Sequence, residues 1–208
     1  MKKVLAILMV MMLLMSVTAY ADATPSDWAK DEIIEQLPQL FESVVGSIDY
    51  QGALSRSECC MLIFQVYSKL GGNIEPGDVT QKFSDVGAEM SDMFIPFMNK
   101  ANIVFGISDT EFAPRAHVKR QEFCAMLCRT LQQFDSDVTA DMQEAGSAVA
   151  AFADAGNVSD WATLNVGYCL NHGYIKGVSD TEIDPLGDVT VEQAMVICSR
   201  IVNEKLGR

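Results

Sequence analysis

The hexapeptide Gly106-Ile-Ser-Asp-Thr-Glu111 returns 71 residues later as Gly177-Val-Ser-Asp-Thr-Glu182, with five identities in six positions. The same shift pairs Arg129 with Arg200, so the register continues beyond the hexapeptide. A repeat of this length indicates that the chain is built from copies of one supersecondary unit. The fold must therefore follow from how such units pack together.

A third, weaker copy lies near the front of the chain. Leu54-Ser-Arg-Ser-Glu58 aligns with Val118-Lys-Arg-Gln-Glu122 at a shift of 64, and the last copy has Val189-Thr-Val-Glu-Gln193 at this place. The central loop of the first copy, 46–54, is four residues shorter than the corresponding loop 106–118. The first copy is thus the most divergent of the three.

Each copy has the pattern of two helices joined by a loop. In the second half of each copy, apolar residues recur at spacings of three and four, as Cys59, Leu62 and Val66 do, which predicts one buried helical face. One such pair cannot bury that face, whereas three stacked copies can. We predict one all-α body of three pseudo-equivalent helix-loop-helix units. These units are 22–72, 80–134 and 149–206, with polar linkers at 71–81 and 135–148.

The first 21 residues have the three parts of a secretory signal peptide. Lys2 and Lys3 precede the apolar run 4–15, and Ala19-Tyr20-Ala21 supplies a small-x-small cleavage site. A membrane-spanning helix needs about 20 apolar residues, which this run does not reach. We expect cleavage before Asp22, export of the mature protein, and no membrane contact after cleavage.

Composition and motifs exclude several function classes. The chain carries 15 Lys and Arg against 28 Asp and Glu, a net charge of -13, so the basic footprint of a nucleic-acid-binding protein is absent. No GxSxG, GxGxxG or P-loop motif occurs, and no acidic pair is marked as a general acid and base. We predict a protein that is not an enzyme and needs no cofactor.

Neither calcium nor zinc has a convincing set of ligands. In an EF-hand register that starts at Asp180, Pro185 takes the place of the glycine and Val191 that of the final glutamate. Cys124 and Cys128 are spaced as helical neighbours, but no second pair completes four zinc ligands. We predict no metal site.

The six cysteines admit two interpretations. An even number in an exported chain is compatible with disulfides. Cys59 and Cys198, however, fall on the apolar helix faces, where thiols act as small hydrophobic groups. We expect most of the six to be reduced and buried. The six are Cys59, Cys60, Cys124, Cys128, Cys169 and Cys198.

The order of these features resembles the S-layer homology (SLH) domain family. A Phe-x-Asp entry, as in the sequences that begin at Phe83 and Phe152, is followed by a helix led by an aromatic residue. A glycine loop with a proline and a [VI]-[ST]-Arg-x-Glu start to the second helix come next. The resemblance covers 22 to about 206. It implies a three-sided helical prism, secreted and held at the cell wall or cell surface of a bacterium with a Gram-positive-type envelope.

The resemblance also implies a ligand and the residues that hold it. Family members bind secondary cell-wall polysaccharide, often pyruvylated, in grooves between repeats, and the motif arginine contacts the acidic group. The matching residues are Arg56 and Arg120, whereas Val191 stands in the third copy. A guanidinium binds a carboxylate bidentately, and free N–H groups at a helix start add anion affinity. On this interpretation neither arginine has a structural role.

Five further residues are candidates for the same site. Lys119 replaces the capping hydroxyl residue of the second copy and is expected to face the ligand, while Ser55 and Thr190 cap their helices. The glycines Gly46, Gly106 and Gly177 are expected to adopt positive φ and to let backbone approach a ligand. Trp28 and Trp161 are expected to pack against a neighbouring helix, with stacking of both rings on sugar faces as the alternative.

A second function remains open on the sequence alone. Val191 in place of the motif arginine and the shortened first loop favour a degenerate scaffold, with a protein of the surface array as its partner. The retained Arg56 and Arg120 favour polysaccharide binding. The two hypotheses differ in whether stripping the polymer from the wall abolishes attachment.

Overall fold

The computed structural model describes residues 24–207, so the predicted signal peptide, 1–21, lies outside the described residues. The α-helices are α1 Asp27–Lys30, α2 Gln36–Val45, α3 Arg56–Lys69, α4 Ile95–Lys100, α5 Arg120–Leu131, α6 Val138–Ala145, α7 Thr163–Asn171 and α8 Val191–Leu206. Short 3-10 turns lie at Pro76–Asp78, Met90–Phe94, Gly146–Ala151, Ala155–Asn157 and Asp160–Ala162. Within the described range, β-structure amounts to three isolated antiparallel bridges. The predicted all-α fold class is confirmed.

Two of the three long second helices start with the capping interaction that the sequence predicts. Ser55 Oγ accepts a hydrogen bond from the Glu58 N–H at 3.3 Å, and a Glu58 carboxylate oxygen accepts from the Ser55 N–H at 2.8 Å. Thr190 Oγ1 likewise accepts from the Gln193 N–H at 3.3 Å. Each such cap stabilises its helix by about 1 kcal/mol. The cap therefore fixes where α3 and α8 begin.

The three copies meet in a closed ring of backbone hydrogen bonds. The Leu54 N–H donates to the Val189 carbonyl at 2.8 Å, the Val189 N–H donates to the Val118 carbonyl at 2.9 Å, and the Val118 N–H donates to the Leu54 carbonyl at 3.0 Å. All three side chains are buried in the core. Each copy thus contacts both others at positions that the repeat aligns. This supports three equivalent units, whose boundaries and prism arrangement remain predictions.

The first N–H groups of each second helix are used by the loop of another copy. They form three equivalent pairs of hydrogen bonds to backbone carbonyls, at 2.9–3.1 Å. Arg56 and Ser57 donate to Ala116 and Pro114, Arg120 and Gln121 donate to Gly187 and Pro185, and Val191 and Glu192 donate to Gly52 and Tyr50. An α-helix start otherwise leaves these donors unsatisfied. The expectation that they are free to bind an anion is therefore wrong.

Arg56 and Arg120 brace the same loops with their side chains. Each is 7% exposed and donates from both Nε and Nη2 to backbone carbonyls. Arg56 donates to Phe112 at 2.9 Å and Phe105 at 2.8 Å, and Arg120 donates to Ile183 and Lys176, both at 2.9 Å. The expectation that these arginines have no structural role is wrong, because each holds the central loop of the copy that follows it.

The third copy lacks the motif arginine and the first copy lacks four loop residues, and both changes lie at the same interface between copies. Val191, which replaces the motif arginine, donates its N–H to Gly52 in the loop 46–54, and this is the loop that lacks four residues. The Val191 side chain is buried. The arginine is therefore absent where the long loop that it braces elsewhere is also absent.

The second predicted linker is wrong. Residues 138–145 form α6 and are followed by the 3-10 turn 146–151, and Val138 and Met142 are buried. Helix α6 packs against α7 so closely that a Cβ at Gly167 would collide with the Ala145 carbonyl. The spacing of four between Val138 and Met142 is a helical signal within a polar stretch. In the first linker, 71–81, the turn Pro76–Asp78 is the single helical segment.

All six cysteines are buried free thiols, in agreement with the expectation from the helix faces. Burial raises the pKa of Cys60 and of Cys198 to about 12. Cys128 Sγ and Cys169 Sγ lie 3.9 Å apart, across the contact between α5 and α7. A thiol held in its neutral form is a weak nucleophile, so these residues act as core packing.

The aspartate of each Phe-x-Asp entry holds the tip of a central loop. Asp85 accepts from the Phe112 N–H at 2.8 Å and from the Ala113 N–H at 2.7 Å. Asp154 accepts from the Ile183 and Asp184 N–H groups at 2.9 and 2.7 Å. Ala113 and Asp184 adopt φ values of 58° and 54°, which non-glycine residues rarely do. The carboxylates stabilise this strained turn.

Replacing Asp85 by Asn should reduce the loss of stability in acid. Desolvation raises the Asp85 pKa, but the hydrogen bonds from Phe112 and Ala113 outweigh it and place the pKa below its ordinary value of 3.8. A carboxyl with a lowered pKa contributes stability that is present above 3.8 and is lost as pH falls through the lowered folded-state pKa. Thermal unfolding of Asp85→Asn across this range should therefore show a lower melting temperature (Tm) at neutral pH and a shallower acid decline. A decline as steep as that of the wild type would contradict the role of Asp85, and Asp109→Asn, in the same loop, is the control.

Replacing Arg120 by Ala should destabilise the fold. It leaves the Ile183 and Lys176 carbonyls without their charged donor, and hydrogen bonds to charged groups contribute about 1.5–3 kcal/mol each. We expect a loss of about 3 kcal/mol, or roughly 6–12 °C in Tm for a chain of this size. Lys119→Ala, which deletes a neighbouring exposed cation, should change Tm far less. Equal Tm values for the two variants would show that the brace is not needed.

Candidate functional site

A groove of about 490 Å³ opens between the first and third copies, with Arg120 of the second copy in its wall. We call it the Arg120 groove, and the lining residues that matter below are Trp28, Glu32, Arg120, Lys176, Gly177, Gln193 and Arg200. They come from α1, the segment that follows it, the start of α5, the third central loop and α8. The arginine brace thus forms part of the groove wall.

The positive charges of this groove differ in how far they are neutralised. Arg200 binds both oxygens of Glu32, at 2.6 and 2.8 Å, and this hydrogen-bonded partner lowers the Glu32 pKa. Arg120 has no ion-pair partner among residues 24–207, and desolvation lowers its pKa. Lys176 is exposed and likewise lacks an ion-pair partner within that range. The groove therefore presents two cations without partners.

The repeat alignment defines an equivalent set of residues, which we call the Arg56 groove. Shifting the Arg120-groove residues to the preceding copy gives Arg56, Phe105, Gly106, Glu122, Arg129, Trp161 and Asn165. The Arg129 guanidinium lies over the Phe105 ring, 4.8 Å from its centre. It also donates to the Ile103 carbonyl at 3.3 Å. The Arg56 guanidinium lies over the Phe112 ring, 4.5 Å from its centre, so aromatic rings cover both cations of this groove.

A third groove, of about 420 Å³, lies beside the shortened first loop. We call it the Arg115 groove, and it is lined by Val44, Val45, Ser55, Glu58, Glu89, Met90, Ser91 and Arg115. Arg115 pairs with Asp92 at 2.7 Å and Glu89 at 3.0 Å and donates to Ser57 Oγ at 2.7 Å. Sequence reasoning missed Arg115, because the copies align it with Gln51 and Leu186. Its guanidinium is already neutralised by carboxylates.

The three candidate glycines serve different purposes. Gly46 ends α2 with φ 87°, as expected. Gly106 and Gly177 do not have positive φ, so that part of the expectation is wrong. They are required because a Cβ would collide with the Ser108 carbonyl or the Ser179 carbonyl, respectively. Of the three, Gly177 lines the Arg120 groove.

The two tryptophans are half exposed, at 50% for Trp28 and 54% for Trp161. The expectation that they pack against a neighbouring helix in the core is therefore wrong. Trp28 lines the Arg120 groove, where its ring is available to a ligand. This favours the alternative interpretation, in which the aromatic rings stack on sugars.

Lys119 is engaged in an ion pair. Its Nζ lies 2.8 Å from Asp188 Oδ1, while His117 Nδ1 lies 3.1 Å from the other oxygen of the same carboxylate. The hydrogen bond from Lys119 lowers the Asp188 pKa. Lys119 is not among the residues that line the Arg120 groove or the Arg115 groove. Its candidate role in ligand binding thus gains no support from its position.

Residues 24–207 contain no group of three or more His, Cys, Asp or Glu side chains placed to hold a metal ion. In the same range, no helix is both long and apolar enough to cross a bilayer. The chemistry that the grooves offer is therefore that of guanidinium, ammonium, amide and indole groups. These groups bind anions and sugar rings.

Comparison with known proteins identifies part of this architecture. The model of the S-layer homology domain matches residues 82–124, a segment that holds Asp85, the second central loop and Arg120. The Surface-layer 125 kDa protein of Lysinibacillus sphaericus is 30% identical over 130 residues, which cover 61% of this chain. The matched stretch covers 10% of that relative. The segment 82–124 is thus similar to the S-layer homology domain family.

Proposed function

We propose that this protein is a non-catalytic anchoring module of the cell surface that binds secondary cell-wall polysaccharide, an acidic and pyruvylated polymer. The observation that carries the proposal is the Arg120 groove, which combines a half-exposed indole with a buried guanidinium that lacks a carboxylate partner. The family match and the surface-layer relative support a location at the cell wall.

The Arg120 side chain has donor capacity left for a ligand. Its Nε and Nη2 donate to loop carbonyls, whereas Nη1 has no hydrogen-bond partner within the described residues. Arg120 is 7% exposed as a whole residue and forms no direct ion pair, so a carboxylate in the groove would add a counter-charge at contact distance. A pyruvyl ketal presents such a carboxylate, so the brace can also serve as a binding residue.

Recognition must be local, because the protein as a whole is acidic. Because the chain has a net charge of -13, it repels an anionic polymer at distances beyond the groove. At physiological ionic strength this repulsion is screened over roughly 8 Å. Trp28 can stack on a sugar ring next to the charged group. A specific pocket, and not a general electrostatic attraction, therefore explains binding.

A degenerate scaffold for a protein of the surface array is the second candidate. The Arg115 groove favours it, since its guanidinium is neutralised by Asp92 and Glu89. Half-exposed Phe105 and well-exposed Ile107 add apolar surface in the second loop. Such a scaffold would bind cell walls from which the polymer has been removed.

Replacing Trp28 by Ala should weaken binding to purified cell-wall sacculi. The loss of aromatic stacking is worth about 0.5–1.5 kcal/mol, or roughly a twofold to tenfold rise in Kd. Tm should change little, because the ring is half exposed. Cosedimentation with sacculi measures the Kd, and Leu186→Ala, an equally exposed apolar residue outside the grooves with a defined volume, is the control.

The same measurement with stripped sacculi separates the two candidate functions. Removal of the secondary polymer should abolish binding of the wild-type protein. Equal binding to intact and stripped sacculi would contradict the polysaccharide proposal and favour the scaffold.

A further inference from the structure

We infer that the acidic group of the ligand is bound in the Arg120 groove and not in the Arg56 groove, and that Gln193 and Lys176 determine this difference. The inference rests on the proposed function and deepens it by assigning the charged part of the polymer to one groove. It starts from the positions at which two otherwise equivalent grooves differ.

The two grooves share their arginines, tryptophan and glycine but differ at three aligned positions. Lys176, Gln193 and Glu32 of the Arg120 groove correspond to Phe105, Glu122 and Asn165 of the Arg56 groove. The Arg120 groove thus holds three cations against one carboxylate, whereas the Arg56 groove holds two cations against one carboxylate. The position of each carboxylate matters more than this count.

In the Arg120 groove the carboxylate is already used. Glu32 is held by two hydrogen bonds from Arg200, so these two charges neutralise each other at one side of the groove. Arg120 and Lys176 remain without a carboxylate partner in the described part of the chain. An incoming carboxylate therefore meets two cations without a direct ion-pair partner, since the carboxylates of Asp184 and Asp154 act on Arg120 only at longer range.

Gln193 contributes a donor where the other copies have a carboxylate. Its Oε1 accepts from the Thr190 N–H at 3.3 Å, which leaves the Nε2 amide group without a partner among residues 24–207 while the side chain lines the groove. At the same helix position Glu122 accepts from the Lys119 N–H at 3.0 Å, and Glu58 accepts from the Ser55 N–H at 2.8 Å. A carboxylate at this place offers no donor and repels an anion.

The Arg56 groove is also less open to a charged group. Phe105 takes the place of Lys176, and its ring lies against the Arg129 guanidinium, 4.8 Å from the ring centre. The Phe112 ring likewise lies 4.5 Å from the Arg56 guanidinium, so both cations are shielded from an anion. The groove retains Trp161, 54% exposed, and is suited to a neutral sugar.

The test replaces Gln193 of α8, which stands where α3 and α5 have a glutamate. Gln193→Glu keeps an oxygen acceptor for the Thr190 N–H, as Glu58 does for Ser55, so the fold should be retained. The probe is acidic wall polymer extracted from sacculi, with the same polymer after chemical reduction of its carboxyl groups as the neutral counterpart. We expect Gln193→Glu and Lys176→Gln each to raise the Kd for the acidic polymer about tenfold.

The matched control makes the reverse substitution at the aligned position of the Arg56 groove. Glu122→Gln should leave the Kd for the acidic polymer within about twofold of the wild type. With carboxyl-reduced polymer, the wild type and Gln193→Glu should bind equally. Because Lys176 is exposed, Lys176→Gln tests the inference even if Gln193→Glu does not fold.

Two results would overturn the inference, and a third concerns the proposed function. Wild-type affinity for the acidic polymer in both Gln193→Glu and Lys176→Gln would show that this groove does not bind the charged group. A several-fold gain in affinity in Glu122→Gln would show that the amide alone suffices, so that Lys176 does not determine which groove binds the charged group. Failure of the wild-type protein to bind either polymer would instead refute the proposed function.

Discussion

The ring of hydrogen bonds among Leu54, Val118 and Val189 is the constraint on which the rest of the structure depends. It lies in the buried centre, where an unpaired backbone N–H or carbonyl would cost about 1–3 kcal/mol. Each ring residue immediately precedes the N-cap position of a second helix. The ring therefore fixes where α3, α5 and α8 begin relative to the loops of the other copies.

Once the ring has set this register, the first residue of each second helix must lie on the loop of another copy. In two copies that residue is an arginine, which can donate from Nε and Nη2 to loop carbonyls and still keep Nη1 for a groove. In the proposed function, folding and binding thus depend on the same side chain. For this reason, loss of binding in a variant of Arg120 cannot by itself identify a ligand contact, and variants of exposed groove residues are more informative.

The sequence predicts what depends on local spacing and misses what depends on contacts between copies. The all-α class, the caps at Ser55 and Thr190 and the helix starts at Arg56 and Arg120 follow from residue patterns within a few positions, and the structure has them. The direction of the arginine side chains does not follow from such patterns. Their carbonyl partners lie 49 to 63 residues away in sequence, and nothing local marks them.

Helix α6 and Arg115 were missed for other reasons. The segment 138–145 is polar on most of its surface, and its two buried residues give a weak periodic signal. Arg115 occupies a loop position that carries Gln51 and Leu186 in the other copies, so comparison of the copies assigns it no role. Its importance comes from buried Asp92, which lies 23 residues before it and becomes its partner only when the fold closes.

The third residue of each second helix shows how such a chain can vary its grooves without changing its fold. A helix cap at this position needs an oxygen that accepts a backbone N–H, and the carboxylates of Glu58 and Glu122 and the amide of Gln193 all provide one. The groove, in contrast, responds to the rest of the side chain, since an amide adds a donor and a carboxylate adds a negative charge. Substitution between Glu and Gln at this place is therefore nearly neutral for the helix and decisive for an anionic ligand. Copies that share one backbone can in this way come to bind different parts of the same polymer.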